Sequence, residues 1–201
     1  MTPSADVDLA VADLVRSAFG HAGQKCSAAS LVILVGAMGS SARFARQLVA
    51  ATQSLRVGYP ADPRSEVGPL IQPASGKLEW ALTTLDAGER WLVEPRQLDD
   101  SGRLWSPGIR TGVAPGSRFH REEFFGPVLG VMHAPSLEHA IALQTAVDIN
   151  AHGLIVGTAT TPEGPRGYLL TPEDHHEDQS EPDAPHAPEL ARSEEHTSEL
   201  Q

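Results

Sequence analysis

Ser30-Leu31-Val32-Ile33-Leu34-Val35-Gly36 is an unbroken β-branched and aliphatic run closed by a glycine. Such a run suits a strand covered on both faces, as in the parallel sheet of an α/β domain. Helical spacing stands on either side of it. Before it, Val7, Val11, Leu14, Val15, Ala18 and Phe19 share one face, with Asp8 and Asp13 opposite, which predicts a helix over 7–19. Ser4 or Asp6 can cap its start and Gly20 can end it. After it, Phe44, Leu48, Ala51 and Leu55 predict a helix over 40–55, before Gly58, Pro60 and Pro63 break the chain.

The alternation continues. Leu78, Ala81, Leu82 and Leu85 predict a helix over 75–86. Trp91-Leu92-Val93-Glu94 and Arg103-Leu104-Trp105-Ser106 read as short strands, and 124–133 as another around Val128, Leu129 and Val131. Ser136 then opens a helix reaching Val147 through Leu137 and Ile141. Strands alternating with helices give the fold class α/β, a mainly parallel sheet flanked by helices.

Charge separates the two ends of the chain. The 201 residues carry a formal net charge of −11. Residues 1–160 hold −2 of it and residues 161–201 hold −9. No basic face is available to replace nucleic-acid counterions, so nucleic acid is excluded as a partner. No apolar run approaches the roughly 20 residues of a spanning helix. The first residues, Met1-Thr2-Pro3-Ser4-Ala5-Asp6, lack a secretory signal's basic and apolar regions. The single cysteine, Cys26, excludes an internal disulfide framework and fits a reducing, cytoplasmic compartment.

From Thr161 to Ala191 the chain has six prolines, adjacent acids and almost no large apolar residue after Leu170. It cannot bury enough surface to offset its ordering entropy, so the expected layout is a folded part over 1–157 and a disordered tail over 158–191. Asp174-His175-His176-Glu177-Asp178 falls in that tail and is read as solvated chain, so no metal site is expected. The last ten residues, Arg192-Ser193-Glu194-Glu195-His196-Thr197-Ser198-Glu199-Leu200-Gln201, match a translated sequencing-library adapter at every position. They are expected to be an artefact and are set aside from fold reasoning.

Two places carry chemistry. Cys26 follows the glycine-bearing loop His21-Ala22-Gly23-Gln24-Lys25 and precedes the small residues Ser27 and Ala28. Backbone N–H groups and a neighbouring lysine favour a thiolate, the nucleophilic form, and small neighbours leave room for a substrate. The second place is Glu122-Glu123-Phe124-Phe125-Gly126-Pro127. In an extended segment, a glutamate two positions before an aromatic lies on the same face. That pairing offers a carboxylate to ribose hydroxyls and a flat face to a ring.

At these places the chain resembles the NAD(P)-dependent aldehyde dehydrogenase superfamily. The family's F-x-x-x-G-Q-x-C motif reads here from Phe19 to Cys26, and its E-x-F-G-P motif as Glu123-Phe124-Phe125-Gly126-Pro127. Between them, Val67-Gly68-Pro69-Leu70-Ile71 sits at the family's G-P segment. Residues 3–155 share the resemblance. His21 to Ala28, Trp91-Leu92-Val93-Glu94-Pro95 and Arg103-Leu104-Trp105-Ser106-Pro107-Gly108 look like the L-glutamate γ-semialdehyde (1-pyrroline-5-carboxylate) dehydrogenases, as in the C-terminal part of proline utilisation A proteins.

The resemblance implies Cys26 as the nucleophile, with its own N–H donating to the oxyanion. It implies Glu123 on the nicotinamide ribose, Phe125 at the nicotinamide and Ser27 on the substrate carboxylate. The implied cofactor is NAD, with FAD only if a proline dehydrogenase domain precedes this region. The implied partners are a small aldehyde and further copies in a homo-oligomer. The family's general-base glutamate, its second oxyanion donor and its Rossmann-like cofactor domain would all lie upstream of Met1. The isolated chain is therefore expected to be inactive. Two alternatives stay open: a dehydrogenase for another aldehyde, or a non-catalytic truncated or interaction protein.

Overall fold

The computed structural model describes residues 1–145, the last as backbone only, and the backbone of 155–161 and 164–170. Helix α1 spans Val7–Phe19. Asp6 caps it by accepting from the N–H groups of Asp8 and Leu9 at 3.0 and 3.1 Å. Its buried face is Val11, Val15, Ala18 and Phe19. Helix α2 spans Ala42–Ser54 and is capped by Ser41, whose Oγ accepts from Phe44 N–H at 3.3 Å. It buries Phe44, Leu48 and Thr52. Asp8 of α1 accepts two hydrogen bonds from Arg43 of α2 at 3.0 Å each, tying the exposed sides of these helices.

Strands β1 (Leu31–Val35), β2 (Arg90–Val93), β3 (Gly108–Thr111) and β4 (Val128–Ala134) form one sheet in the order β1-β4-β3-β2. β4 runs parallel to β1 and β3, with Leu31 opposite Gly130 and Gly108 opposite Val128. β2 pairs antiparallel to β3, with an irregularity between Trp91 and Val93. Helices α3 (Gly76–Thr83), α4 (Arg118–Arg121) and α5 (Leu137–Thr145) complete this part. The fold is the α/β arrangement that the sequence predicts.

Several expectations need correction. The aliphatic run was expected to be covered on both faces, yet β1 lies at the edge of the described sheet and its residues 31–33 are only half-buried. The strand buried along nearly its whole length is β4, which has a neighbour on each side. Arg103-Leu104-Trp105-Ser106 is not a strand and makes a single bridge from Trp105 to Gln97. The strand lies just beyond it, at β3. The segment 124–127 is a loop, and the strand begins at Val128. The expected disordered stretch from 158 instead begins in paired backbone. β5 (Ile155–Thr161) and β6 (Gly164–Leu170) form an antiparallel pair with Ile155 opposite Leu170. Ile155, Val156 and the threonines of β5 are β-branched, and such residues favour strands despite the neighbouring prolines. The remaining tail, the histidine pair within it and the last ten residues lie outside the described residues.

The main core gathers Phe19, Leu48, Leu70, Leu82, Ile109, Phe119, Phe124, Leu129 and Met132, all 3% exposed or less. A smaller cluster joins Val35, Ala134 and Ala140, packing α5 on the sheet. His120 links α4 to α5. Its Nδ1 accepts from Gly116 N–H at 2.8 Å, so Nε2 carries the proton and donates to Leu143 O at 3.2 Å. Among the described residues no helix is long and apolar enough to cross a membrane.

At the centre of the core lies a charge. The Arg110 side chain on β3 is 0% exposed and donates to Glu89, itself 1% exposed, at 2.8 Å. The same guanidinium donates to the carbonyls of Ala81 and Thr84 at the end of α3, satisfying acceptors that a helix terminus leaves open. Phe119, Trp91 and Trp80 surround it, with ring centroids 4.1, 5.0 and 5.2 Å from its central carbon. Burial pulls the Arg110 pKa down and the Glu89 carboxylate pushes it back up. Arg110 Nε and Glu89 Oε1 have no hydrogen-bond partner, so the pair is incompletely satisfied. Removing one partner strands a buried charge, whereas removing both does not. Arg110→Ala should cost about 3–5 kcal/mol in urea unfolding. The double change Arg110→Met, Glu89→Leu should cost far less, and equal losses in the two variants would refute this account.

Candidate active site

The Cys26 loop begins where α1 ends. Gly20 stops the helix, and His21, Ala22 and Gly23 then take φ values of 54, 54 and 67°. Three consecutive left-handed residues are costly for side chains with a Cβ and persist only where the surroundings enforce them. The enforcing contact is at Gly23. A Cβ there would lie 2.1 Å from the carbonyl oxygen of Gly126, so no other residue fits without moving backbone. The chain reaches Cys26 through this turn.

Cys26 and Ser27 occupy the centre of a tight turn closed by Ala28 N–H donating to Lys25 O at 2.9 Å. Both side chains are exposed, and the thiol is free. Among the described residues the Cys26 N–H has no acceptor.

The second segment is held beside the first. Glu123 is exposed, Phe124 is 3% exposed and Phe125 is 38% exposed. The extended, same-face arrangement expected for this segment is therefore absent. Phe125 has φ 55°, which throws its ring outward while Phe124 turns into the core. There Phe124 stacks on Phe119 at 4.7 Å between centroids and tilts against Trp80 at 5.4 Å. Glu123 and Phe125 still end on one exposed loop, by a left-handed bend in place of a pleat.

The two segments share a small cleft. Gly23 and residues 28–30 form one wall, and residues 123–126 form the other. Cys26 and Ser27 lie in the turn between the cleft-lining Gly23 and Ala28. Gln24 joins the two segments, donating from Nε2 to Phe125 O at 3.1 Å. Its Oε1 accepts from Ile71 N–H at 2.9 Å, which brings in the third motif segment. That segment is fixed in turn by Arg103. Leu70 N–H donates to Arg103 O at 2.8 Å, and Arg103 Nε donates back to Leu70 O at 2.7 Å.

The structure thus brings together the loops bearing Cys26, Ser27, Glu123 and Phe125. Sequence reasoning named Gln24 only as a motif letter. Its signal was a glutamine fixed between a glycine and a cysteine, without indication of its partners. Arg110, which supports the Phe119–Phe124 stack, was missed. An arginine after a single isoleucine carries no pattern of a buried residue. Among the described residues no group of three His, Cys, Asp or Glu side chains could hold a metal ion.

Residues 1–161 match the family model described as the aldehyde dehydrogenase family. The 1-pyrroline-5-carboxylate dehydrogenase of Bacillus subtilis is 33% identical over 153 residues, covering 76% of this chain and 29% of that protein. Among solved structures, proline utilization A from Corynebacterium freiburgense is 57% identical with a TM-score of 0.71, covering 78% of this chain and 15% of that one. The 1-pyrroline-5-carboxylate dehydrogenase from Thermus with bound NAD is 32% identical with a TM-score of 0.60, covering 71% of this chain and 27% of that one. The chain therefore spans less than a third of the length of these relatives. Three motif segments joined by one glutamine, on a mostly parallel sheet and within a family match over residues 1–161, make this chain a member of the aldehyde dehydrogenase family.

Proposed function

We propose that this chain is a section of an NAD-dependent dehydrogenase that oxidises L-glutamate γ-semialdehyde to glutamate. The observation that carries the reading is the cleft itself. Its lining includes Gly23 and Ala28, which flank the turn bearing the exposed Cys26 thiol, and Glu123 to Gly126 of the loop that carries an exposed carboxylate and an exposed aromatic ring. The substrate assignment rests on the 57% identity to a proline utilization A protein and on relatives named for 1-pyrroline-5-carboxylate.

The residues present fit a nicotinamide nucleotide. Glu123 offers two acceptor oxygens to a pair of ribose hydroxyls, and Phe125 offers an exposed apolar face for a flat ring. When bound, NAD supplies the hydride acceptor of the reaction.

The remaining chemistry belongs to Cys26. Its thiolate adds to the aldehyde carbon, forming a carbon–sulfur bond and an oxyanion at the former carbonyl oxygen. The Cys26 N–H donates to that oxygen where the charge develops. Loss of the aldehyde hydrogen as hydride leaves an acyl group on sulfur, and water releases it as the carboxylic acid. In this reading Ser27, next to Cys26 in the exposed turn, donates to the substrate's far carboxylate. The glutamate that activates the water and the dinucleotide domain belong, in this reading, to chain beyond residues 1–201. The same reading makes the intact enzyme homo-oligomeric and cytoplasmic, and the isolated chain inactive.

The test is NADH formation by the full-length gene product with L-glutamate γ-semialdehyde. Cys26→Ser should lower kcat by about 10³-fold or more, since the weaker hydroxyl nucleophile replaces the thiolate. Unchanged turnover in that variant would sink the mechanism. Glu123→Gln keeps shape but loses charge, so its ribose hydrogen bonds weaken and the KM for NAD should rise about tenfold. Higher kcat/KM for another aldehyde would keep the mechanism and overturn the substrate.

A further inference from the structure

Gln24 has no part in the chemistry above, yet its side chain spans three segments far apart in sequence. Phe125 O can only accept and Ile71 N–H can only donate, so the two partners fix which end of the amide is nitrogen. The two ends are anchored differently. Ile71 follows Leu70, whose N–H donates to Arg103 O and whose carbonyl accepts from Arg103 Nε. Gln24 itself is set by the left-handed turn before it, with its own N–H donating to His21 O at 3.0 Å. Phe125 is the strained end. Its φ of 55° is rare for a bulky residue and persists only where neighbours over-determine it.

We infer that Gln24 is a positioning residue, whose amide holds the 123–126 loop in the left-handed bend that presents Glu123 and Phe125 to the cofactor. This rests on the dehydrogenase reading for its consequence, though not for its geometry. The only side-chain hydrogen bond to the Phe125 carbonyl among the described residues is the one from Gln24. Without it, the loop can relax toward negative φ at Phe125, and the exposed ring and carboxylate lose their present placement. The Cys26 turn should be indifferent, because its closing hydrogen bond runs between Lys25 and Ala28.

The informative variant is Gln24→Glu in the full-length protein. It keeps size and keeps an acceptor toward Ile71 N–H. It replaces the donor with a carboxylate oxygen facing the Phe125 carbonyl, where two acceptors repel. Three readouts separate positioning from support of the fold: backbone hydrogen exchange, NADH dissociation constant and the rate of Cys26 alkylation by iodoacetamide. Exchange over 122–126 should rise at least tenfold and the NADH dissociation constant about tenfold. Exchange in β4 should stay within twofold of wild type, as should Cys26 alkylation in Gln24→Met, which adds no charge beside the thiol. Gln24→Met, which removes both polar ends at similar size, should move the same readouts in the same direction. Unchanged exchange over 122–126 in both variants would overturn the inference. Exchange that rises equally in α1, β4 and the loop would also overturn it, because Gln24 would then support the whole fold. If the loop alone loosens but wild-type protein binds no NADH, the positioning stands and the dehydrogenase reading falls.

Discussion

A guanidinium sealed inside the core sets the terms for everything around it. Arg110 cannot be left without partners away from water, so β3, the end of α3 and the segment before β2 must meet at one point. The flat group then needs faces to lie against, and Phe119, Trp91 and Trp80 supply them. Phe119 passes this order on by stacking against Phe124. Phe124 is the inner neighbour of Phe125, so the core fixes one side of the exposed loop by packing. The other side is fixed by a hydrogen bond to its carbonyl.

On the facing wall the constraint is steric. Gly23 and Gly126 bring two backbones closer than any side chain permits. Both approaches involve left-handed residues, at 21–23 on one loop and at Phe125 on the other. Backbone strain of this kind therefore gathers on both sides of one cleft. The rest of the sheet is free of it: β1, β3 and β4 pair in regular parallel register.

What could be read beforehand follows the range of the physics. The helices at 7–19 and 42–54 are local events, set by apolar spacing and capping side chains, and their limits were legible to within two residues. β1 was legible as a strand, but its place at the sheet edge depends on pairings with residues almost a hundred positions away. β3 was missed because Arg110 interrupts an already short apolar pattern, and a lone arginine is ordinarily assigned to solvent. The 123–127 segment was misread as extended, since no local signal gives a phenylalanine a positive φ. The motif residues were legible through family likeness. Their mutual placement was not, because it rests on a glutamine whose partners lie 47 and 101 residues along the chain.

The contact between Gly23 and Gly126 also bears on how this fold can be shuffled. The two glycines come from loops separated by three helices, three strands and a hundred residues, yet they form one fitted surface. A crossover between homologous genes anywhere from codon 27 to codon 122 would inherit the two halves from different parents. Offspring survive such a cut only when both parents carry the same small residue on each side. Both glycines are letters of motifs shared across the family, so parents drawn from it meet this condition, and the contact leaves the interval open to natural or laboratory recombination.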